Sequence, residues 1–242
     1  MARAAKDGPG SPRLSRERIV GAAVALADAD GLEGLSMRRL AEELDAAPMA
    51  LYRHVVNKDD LLDGMIDVVF AELDFPTDTG WRAAMRERAL GMRRALLRHR
   101  WAVGRMEGGT PGPANFRHHN ATMGCLRQRA GLPFPMAVHA YSAMDSYIYG
   151  FALQETTLPF QDSDEAVEEG VRRQDAAEAV TSPEAFAEAY PSLAEIARQL
   201  AEWPYDFDAE FEFGLGLVLD GIERLRKRRK GEPAAGWQDA PS

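Results

Sequence analysis

Cysteine is almost absent from this chain. The single copy, Cys125, excludes an intramolecular disulfide framework and fits a reducing compartment. No apolar run approaches the roughly 20 residues that cross a bilayer, so no membrane span is expected. The N-terminus lacks the apolar core of a signal peptide, and a cytoplasmic location is expected. There is no Gly-rich phosphate loop, no His-x-x-x-His pair and no cysteine cluster. No catalytic residue, metal or cofactor is therefore assigned, and an enzyme is not expected. The alternative would be a site built on His118, His119 and His139. Adjacent histidines point in different directions on a helix and rarely share one metal.

An excess of positive charge is also missing. Lys and Arg total 29 against 38 Asp and Glu, for a net charge of −9. Residues 1–58 hold nine basic and eight acidic side chains; the remainder holds 20 and 30. The outermost residues of the first segment, Arg3, Lys6, Arg13, Arg16 and Arg18, are nearly all cationic. Local basic footprints govern phosphate contact, and a distant acidic region adds only screened repulsion. This balance permits nucleic-acid binding without arguing for it.

Helical periodicity is what the chain does have. Its most informative stretch is 36–58. Ser36 is a good N-cap, and Leu40, Ala41 and Leu44 share one face at helical spacing. Asp45 falls where the chain must turn, and Asp tolerates left-handed backbone. Pro48 suits the first turn of a second helix, about two turns long and ending near His54. Leu51 and Val55 face inward, leaving Pro48, Met49, Tyr52 and Arg53 outward. Asn57 caps the next helix, with Asp60 as its capping-box partner. A short helix held out by a packed neighbour is what reading a major groove requires.

The run Met37-Arg38-Arg39-Leu40-Ala41-Glu42-Glu43-Leu44 followed by Leu51-Tyr52-Arg53-His54, Asn57-Lys58 and Leu61-Leu62 resembles the helix-turn-helix of TetR-family transcriptional repressors. The strong match covers about 15–73. The resemblance implies an all-α chain: an N-terminal three-helix helix-turn-helix domain plus a C-terminal helical ligand-binding and dimerisation domain. The expected function is a ligand-responsive repressor, released from a palindromic double-stranded DNA operator by a small, largely apolar effector. Asp45 replaces the Gly common in the family's turn, and Ala47 stands where a capping Ser is frequent.

The rest of the chain is read in order. Residues 1–14 are expected to be disordered, either as a basic arm along DNA or as a solvated tail. A bracing helix spans Ser15 to about Asp30, with Ile19, Ala22, Ala23, Leu26 and Ala27 inward. A linking helix runs to about Leu73. Residues 74–80, with Pro76 and Gly80, form the boundary, so the domains are 15–73 and 80–230, followed by a disordered tail at 231–242. Further helices are predicted over about 81–98, 113–130 and 133–156, from Ser182 with Pro183 at its first position, as a second piece over about 191–203, and over about 208–230. The helix at 133–156 should carry Val138, Tyr141, Met144, Ile148 and Phe151 as its stripe. Residues 161–182 are acidic and read as a surface loop.

The last helix and Ala140-Tyr141-Ser142-Ala143-Met144 are similar to the tetracycline-repressor subgroup, where two such helices pair with their two-fold copies. A homodimer through about 135–156 and 208–230 is expected. Both helices carry more apolar surface than one subunit covers, and Gly150, Gly214 and Gly216 would allow close approach. The same glycines also fit ordinary packing within one chain.

For DNA, positioning on phosphate is assigned to Ser36, Met37 through its backbone N–H, Tyr52, His54 and Lys58; the resemblance supports Tyr52, His54 and Lys58 in that role. Base contact is assigned to Arg38, Pro48, Met49, Ala50 and Arg53. Each arginine can pair with guanine or hold a phosphate instead, while Met49 and Ala50 suit a thymine methyl. The effector cavity is assigned to Trp81, Met85, Met92, Trp101, Met106, Phe116, Met123, Tyr141, Met144, Tyr147 and Phe151, with Asn120, His118 and Gln154 as polar anchors. An ordinary helical core fits the same apolar residues. Tetracycline-binding members use His and Asn groups around a magnesium–drug complex. Met106 and Asp74 stand at two of those histidine positions, so tetracycline is not the expected ligand.

Overall fold

A computed structural model of the chain describes residues 13–106, 108–158, 182–200 and 206–228. Arg3, Lys6, the acidic residues at 161–181 and the tail at 231–242 lie outside the described residues. Among those described, every regular element is helical. The chain divides into two compact units, Met1–Cys125 and Leu126–Ser242.

The first unit begins with α1 (Arg16–Asp30), whose N-cap Ser15 accepts the Arg18 N–H at 3.3 Å. α2 (Met37–Glu43) starts at Ser36, whose hydroxyl accepts the Arg39 N–H. α3 (Pro48–Leu51) and α4 (Lys58–Ala71) follow. Ile19, Ala23, Leu40, Leu51, Val55, Leu61 and Met65 form the core between them, each almost fully buried. α1 packs along α4, and α4 packs in turn on α6. Gly64 makes the first approach possible: a Cβ there would sit 3.0 Å from Val20 Cγ2 of α1.

Asp45 adopts φ 49°, as its place in the turn predicts. Left-handed backbone costs a residue with a Cβ, and Asp only partly escapes that cost. Asp45→Gly is expected to stabilise the fold by about 0.5–1 kcal/mol. That corresponds to a rise in Tm of roughly 1–4 °C for a chain of this size. A lower melting temperature would show that the Asp45 side chain holds the turn.

The unit continues with α5 (Trp81–Arg98), a 3-10 turn (Arg100–Ala102) and α6 (Pro113–Gly124). The predicted helix to Ala130 is α-helical only to Gly124. It closes through a wider π turn at Cys125–Arg129, before Gly131 at φ 71°.

The second unit contains α7 (Phe134–Thr157), α8 (Pro183–Ala189), α9 (Pro191–Leu200) and α10 (Phe207–Arg228). α7 and α10 pack together. The inward stripe of α7 is Ala137, Ala140, Met144, Ile148 and Ala152. Val138, read as part of the apolar stripe, is 39% exposed, while Ala137 beside it is buried. Tyr147 crosses to α10, donating its hydroxyl to the Phe211 carbonyl at 2.9 Å and stacking on Phe211 at 5.4 Å. Gly214 makes room for it, since a Cβ there would lie 2.7 Å from the Tyr147 ring.

Candidate nucleic-acid interface

α3 is shorter than its sequence predicts. Regular helix stops at Leu51, and the next turn is tightened by His54 N–H to Leu51 O (2.9 Å) and Arg53 N–H to Ala50 O (3.4 Å). The freed His54 carbonyl accepts from the Arg16 guanidinium at 3.2 Å. The departure from regular helix is therefore satisfied from α1. Ala47 gives α3 no side-chain cap; the helix opens with Pro48, whose missing N–H needs none.

Leu51 and Val55 are buried, at 0% and 1% exposure, and fasten the segment. The opposite side is open: Met49 is 73% and Tyr52 44% exposed, and Pro48 and Arg53 are exposed too. Ala50 and His54 are half-buried. Ser36 and Arg38 are exposed at the start of α2, with Met37 half-buried between them. Lys58 is exposed at the start of α4. None of the ten residues assigned to DNA contact is buried. They lie at the first turn of α2, along the outer side of α3 and at the first turn of α4.

Arg38 pairs with Glu42 at 3.2 Å on α2, both well exposed. Such a pair is weak and exchanges readily for a phosphate or a base edge. Arg39 is committed elsewhere, to Asp30 of α1 and the Gly34 carbonyl.

Two features differ from expectation. Arg16 is not part of an outer cationic footprint: it grips both oxygens of Asp60, at 2.7 and 2.9 Å. Asp60 in turn does not complete a capping box with Asn57. Its carboxylate accepts the Val56 N–H at 2.7 Å, one residue earlier, while Asn57 Oδ1 accepts the Asp60 N–H. The Arg16 hydrogen bond and the Val56 N–H hold the Asp60 carboxyl below its ordinary pKa. The tie locks α1 to the start of α4, beside Lys58.

A second tie joins the far end of α4 to α1. His99 places Nδ1 2.8 Å from Asp28 of α1 and Nε2 3.1 Å from Glu72, the C-cap of α4. Trp101 donates its indole N–H to Asp28 at 2.6 Å, and Arg98 pairs with Glu72. Burial alone would raise the Glu72 pKa; hydrogen bonds from Arg98 and His99 outweigh it and hold the carboxyl down. A third tie is Asp67 of α4, which accepts the Asn115 N–H of α6 at 2.8 Å. No spacing rule pairs residues 26 to 73 positions apart, so these contacts left no mark in the sequence.

The residues assigned to the effector fall on both units. In the first, Trp81, Met85, Met92, Trp101 and Met106 are buried, Met123 is half-buried, and Phe116 and Asn120 of α6 are exposed. In the second, Met144 is buried, while Tyr141, Tyr147 and Phe151 are half-buried. Phe151 joins Tyr147 and Phe211, with ring centroids 6.0 and 5.1 Å away. Among the described residues no group of acidic, His or Cys side chains is arranged to hold a metal, and no helix is long and apolar enough to cross a membrane.

A short helix presented outward by a buried hydrophobic anchor, between two helix N-termini, defines a helix-turn-helix DNA-binding protein. Residues 19–65 match the model for bacterial regulatory proteins of the tetR family, and residues 75–226 match the tetracyclin repressor-like C-terminal domain. The chain is 35% identical to the HTH-type transcriptional repressor DrrR1 of Streptomyces coeruleorubidus, covering 92% of this chain and 82% of that protein. It is 28% identical to the class E tetracycline repressor protein of Escherichia coli, over 91% of this chain and 96% of that one. The crystal structure of Streptomyces coelicolor ActR in complex with actinorhodin superposes with a TM-score of 0.73 at 29% identity, covering 91% of this chain and all of that one. The protein belongs to the TetR family. It is a ligand-responsive, DNA-binding transcriptional regulator rather than an enzyme.

Proposed function

We propose that the protein is a cytoplasmic homodimeric repressor that reads a palindromic operator and leaves it when a small, largely apolar effector binds. Residues 15–73 act as the DNA-binding domain and 80–230 as the effector and dimerisation domain. The observation that carries the reading is the outer side of α3, where Met49, Tyr52 and Arg53 are exposed above the buried Leu51 and Val55. Ser36, Met37, Tyr52, His54 and Lys58 position the protein on phosphates; Arg38, Pro48, Met49, Ala50 and Arg53 read bases. Dimerisation uses about 135–156 and 208–230. Its support is apolar surface that a single chain leaves open: Phe134, Val138 and Leu153 on α7, and Phe213, Leu217 and Leu225 on α10. The effector cavity draws on Trp81, Met85, Met92, Trp101, Met106, Phe116, Asn120, Met123, Tyr141, Met144, Tyr147 and Phe151. That a protein of similar fold is solved with actinorhodin supports a small-molecule effector. Binding shifts the equilibrium only by the effector's differential affinity for two conformers, with α4 passing the shift to the reading helices.

Selection of sites from random duplex DNA tests this reading. Recovery of a palindrome with half-site centres about 34 Å apart is expected, with affinity falling steeply as salt rises. Against the selected site, Tyr52→Ala and Lys58→Ala should weaken every sequence alike. Arg53→Ala should cost about 1–3 kcal/mol and relax preference at one base position. Uniform loss in Arg53→Ala would assign that guanidinium to a phosphate. No enrichment of any sequence would remove the operator reading.

A further inference from the structure

Arg16 reaches from the first turn of α1 across to α4, where Gly64 leaves it room: a Cβ there would lie 3.4 Å from its Nη2. Nη1 donates to the His54 carbonyl at 3.2 Å and to Asp60 Oδ2 at 2.9 Å. Nη2 donates to Asp60 Oδ1 at 2.7 Å and to the Asp60 carbonyl at 3.1 Å. Asp60 extends the clamp. Its Oδ2 also accepts the Val56 N–H at 2.7 Å, and its own N–H goes to Asn57 Oδ1 at 2.8 Å.

α3 ends at Leu51 and α4 begins at Lys58. One pair of side chains therefore holds the intervening turn at His54 and Val56 and grips the first turn of α4 behind it. Their charges cancel, so the pair itself offers a phosphate little attraction. What it sets is where His54 and Lys58 stand relative to α3. The base-reading side of α3 has separate anchors, the buried Leu51 and Val55. A guanidinium presents its donors in one rigid plane and can serve a carboxylate and a carbonyl together; an ammonium is a point charge and cannot match that set.

The geometry points to Arg16 and Asp60 as positioning residues for DNA: neither touches the duplex, and together they preset the turn so that His54 and Lys58 meet phosphates at once. This role rests on the operator reading above. A preset turn avoids the ordering cost that a loose one meets on binding. The consequence is opposite in sign to simple electrostatics. Asp59 and Asp60 are adjacent carboxylates in the first turn of α4, beside Lys58. By charge alone, removing either one should tighten binding to a polyanion. Only Asp60 carries the clamp.

The test titrates the full-length protein, as wild type, Asp59→Ala, Asp60→Ala and Arg16→Lys, with the selected operator and with an unrelated duplex. Asp59→Ala is expected to bind about twofold more tightly. Asp60→Ala should bind about tenfold more weakly although it has lost a negative charge. Arg16→Lys should weaken binding about fivefold although it keeps its positive charge. The ratio between operator and unrelated duplex should stay within about twofold, because positioning on phosphate carries no sequence information. Circular dichroism and sedimentation velocity confirm that helix and mass are unchanged at the titration temperature. Should Asp60→Ala lose its fold, Arg16→Lys and Asp59→Ala still decide. Asp60→Ala binding as tightly as wild type or tighter would overturn the role. So would wild-type affinity in Arg16→Lys, which would assign that side chain to a phosphate, or a loss confined to the operator. Wild-type protein that binds no duplex removes the operator reading and this role with it. Wild-type protein that binds while Asp60→Ala matches it removes the role alone.

Discussion

Phe213→Glu combined with Leu217→Glu is expected to yield a folded monomer that loses its operator. The two side chains are 68% and 60% exposed and lie one turn apart on α10. The opposite positions, Phe211, Leu215, Leu219 and Ile222, are buried and hold the helix. Carboxylates at the outward positions remain in water in a single chain and cost its fold little. Placed against a second copy they would be buried facing their own images, and unpaired buried charge is not tolerated. A monomer keeps one recognition helix per molecule and loses the second half-site, worth about 10²-fold or more in affinity. Sedimentation velocity would report the mass, circular dichroism the retained helix, and titration of operator duplex the loss. A doubly substituted protein that still sediments as a dimer and binds its operator would move the interface away from this face.

The helix-turn-helix was legible because its determinants are local. Ser36, Asp45, Pro48 and Asn57 act within four residues of their own positions, so spacing alone locates them. The alternation of Leu51 and Val55 with Tyr52 and Arg53 separates the inner from the outer side over a single turn. Long-range polar ties were illegible for the opposite reason. Arg16 reads as one more cation near the terminus until the fold sets it against Asp60, 44 residues away. His99 draws no reading from its neighbours, and Trp101 reads as cavity lining, until both turn towards Asp28. Position in the helix also misjudged degree. Val138 sits at helical spacing with Tyr141 and Ile148, yet the buried stripe runs through Ala137 and Ala140. Periodicity gives a direction to within about one residue; the size of neighbouring side chains decides which residue is covered. Gly214 illustrates this, since its meaning depended on Tyr147 arriving from another helix.

His99→Ala is expected to lower stability by about 3 kcal/mol, the largest effect of any single truncation outside the apolar core. The ring is only 7% exposed and stands between two carboxylates on different helices. Hydrogen bonds to charged groups contribute about 1.5–3 kcal/mol each, reduced here because Asp28 and Glu72 remain about one-third exposed. Removing the ring also leaves a void against Trp101, whose centroid lies 6.0 Å away. At roughly 2–4 °C per kcal/mol the melting temperature should fall by about 6–12 °C at fixed protein concentration. The pH dependence follows from the carboxylates. Glu72 and Asp60 both have pKa values held below the ordinary range in the folded chain. Their stabilisation is present above the unfolded pKa and is lost as pH falls through the folded value. Wild-type protein should therefore lose stability on acidification through the carboxylate range, and His99→Ala should lose less, because its Glu72 is no longer held down by the imidazole. Thermal melts of both proteins from neutral pH into that range measure the difference. Parallel losses would show that His99 packs between α1 and α4 without its hydrogen bonds contributing. A retained Tm at neutral pH would show that the Arg16–Asp60 tie alone fixes α4 to α1, leaving His99 outside the stability of the DNA-binding helices.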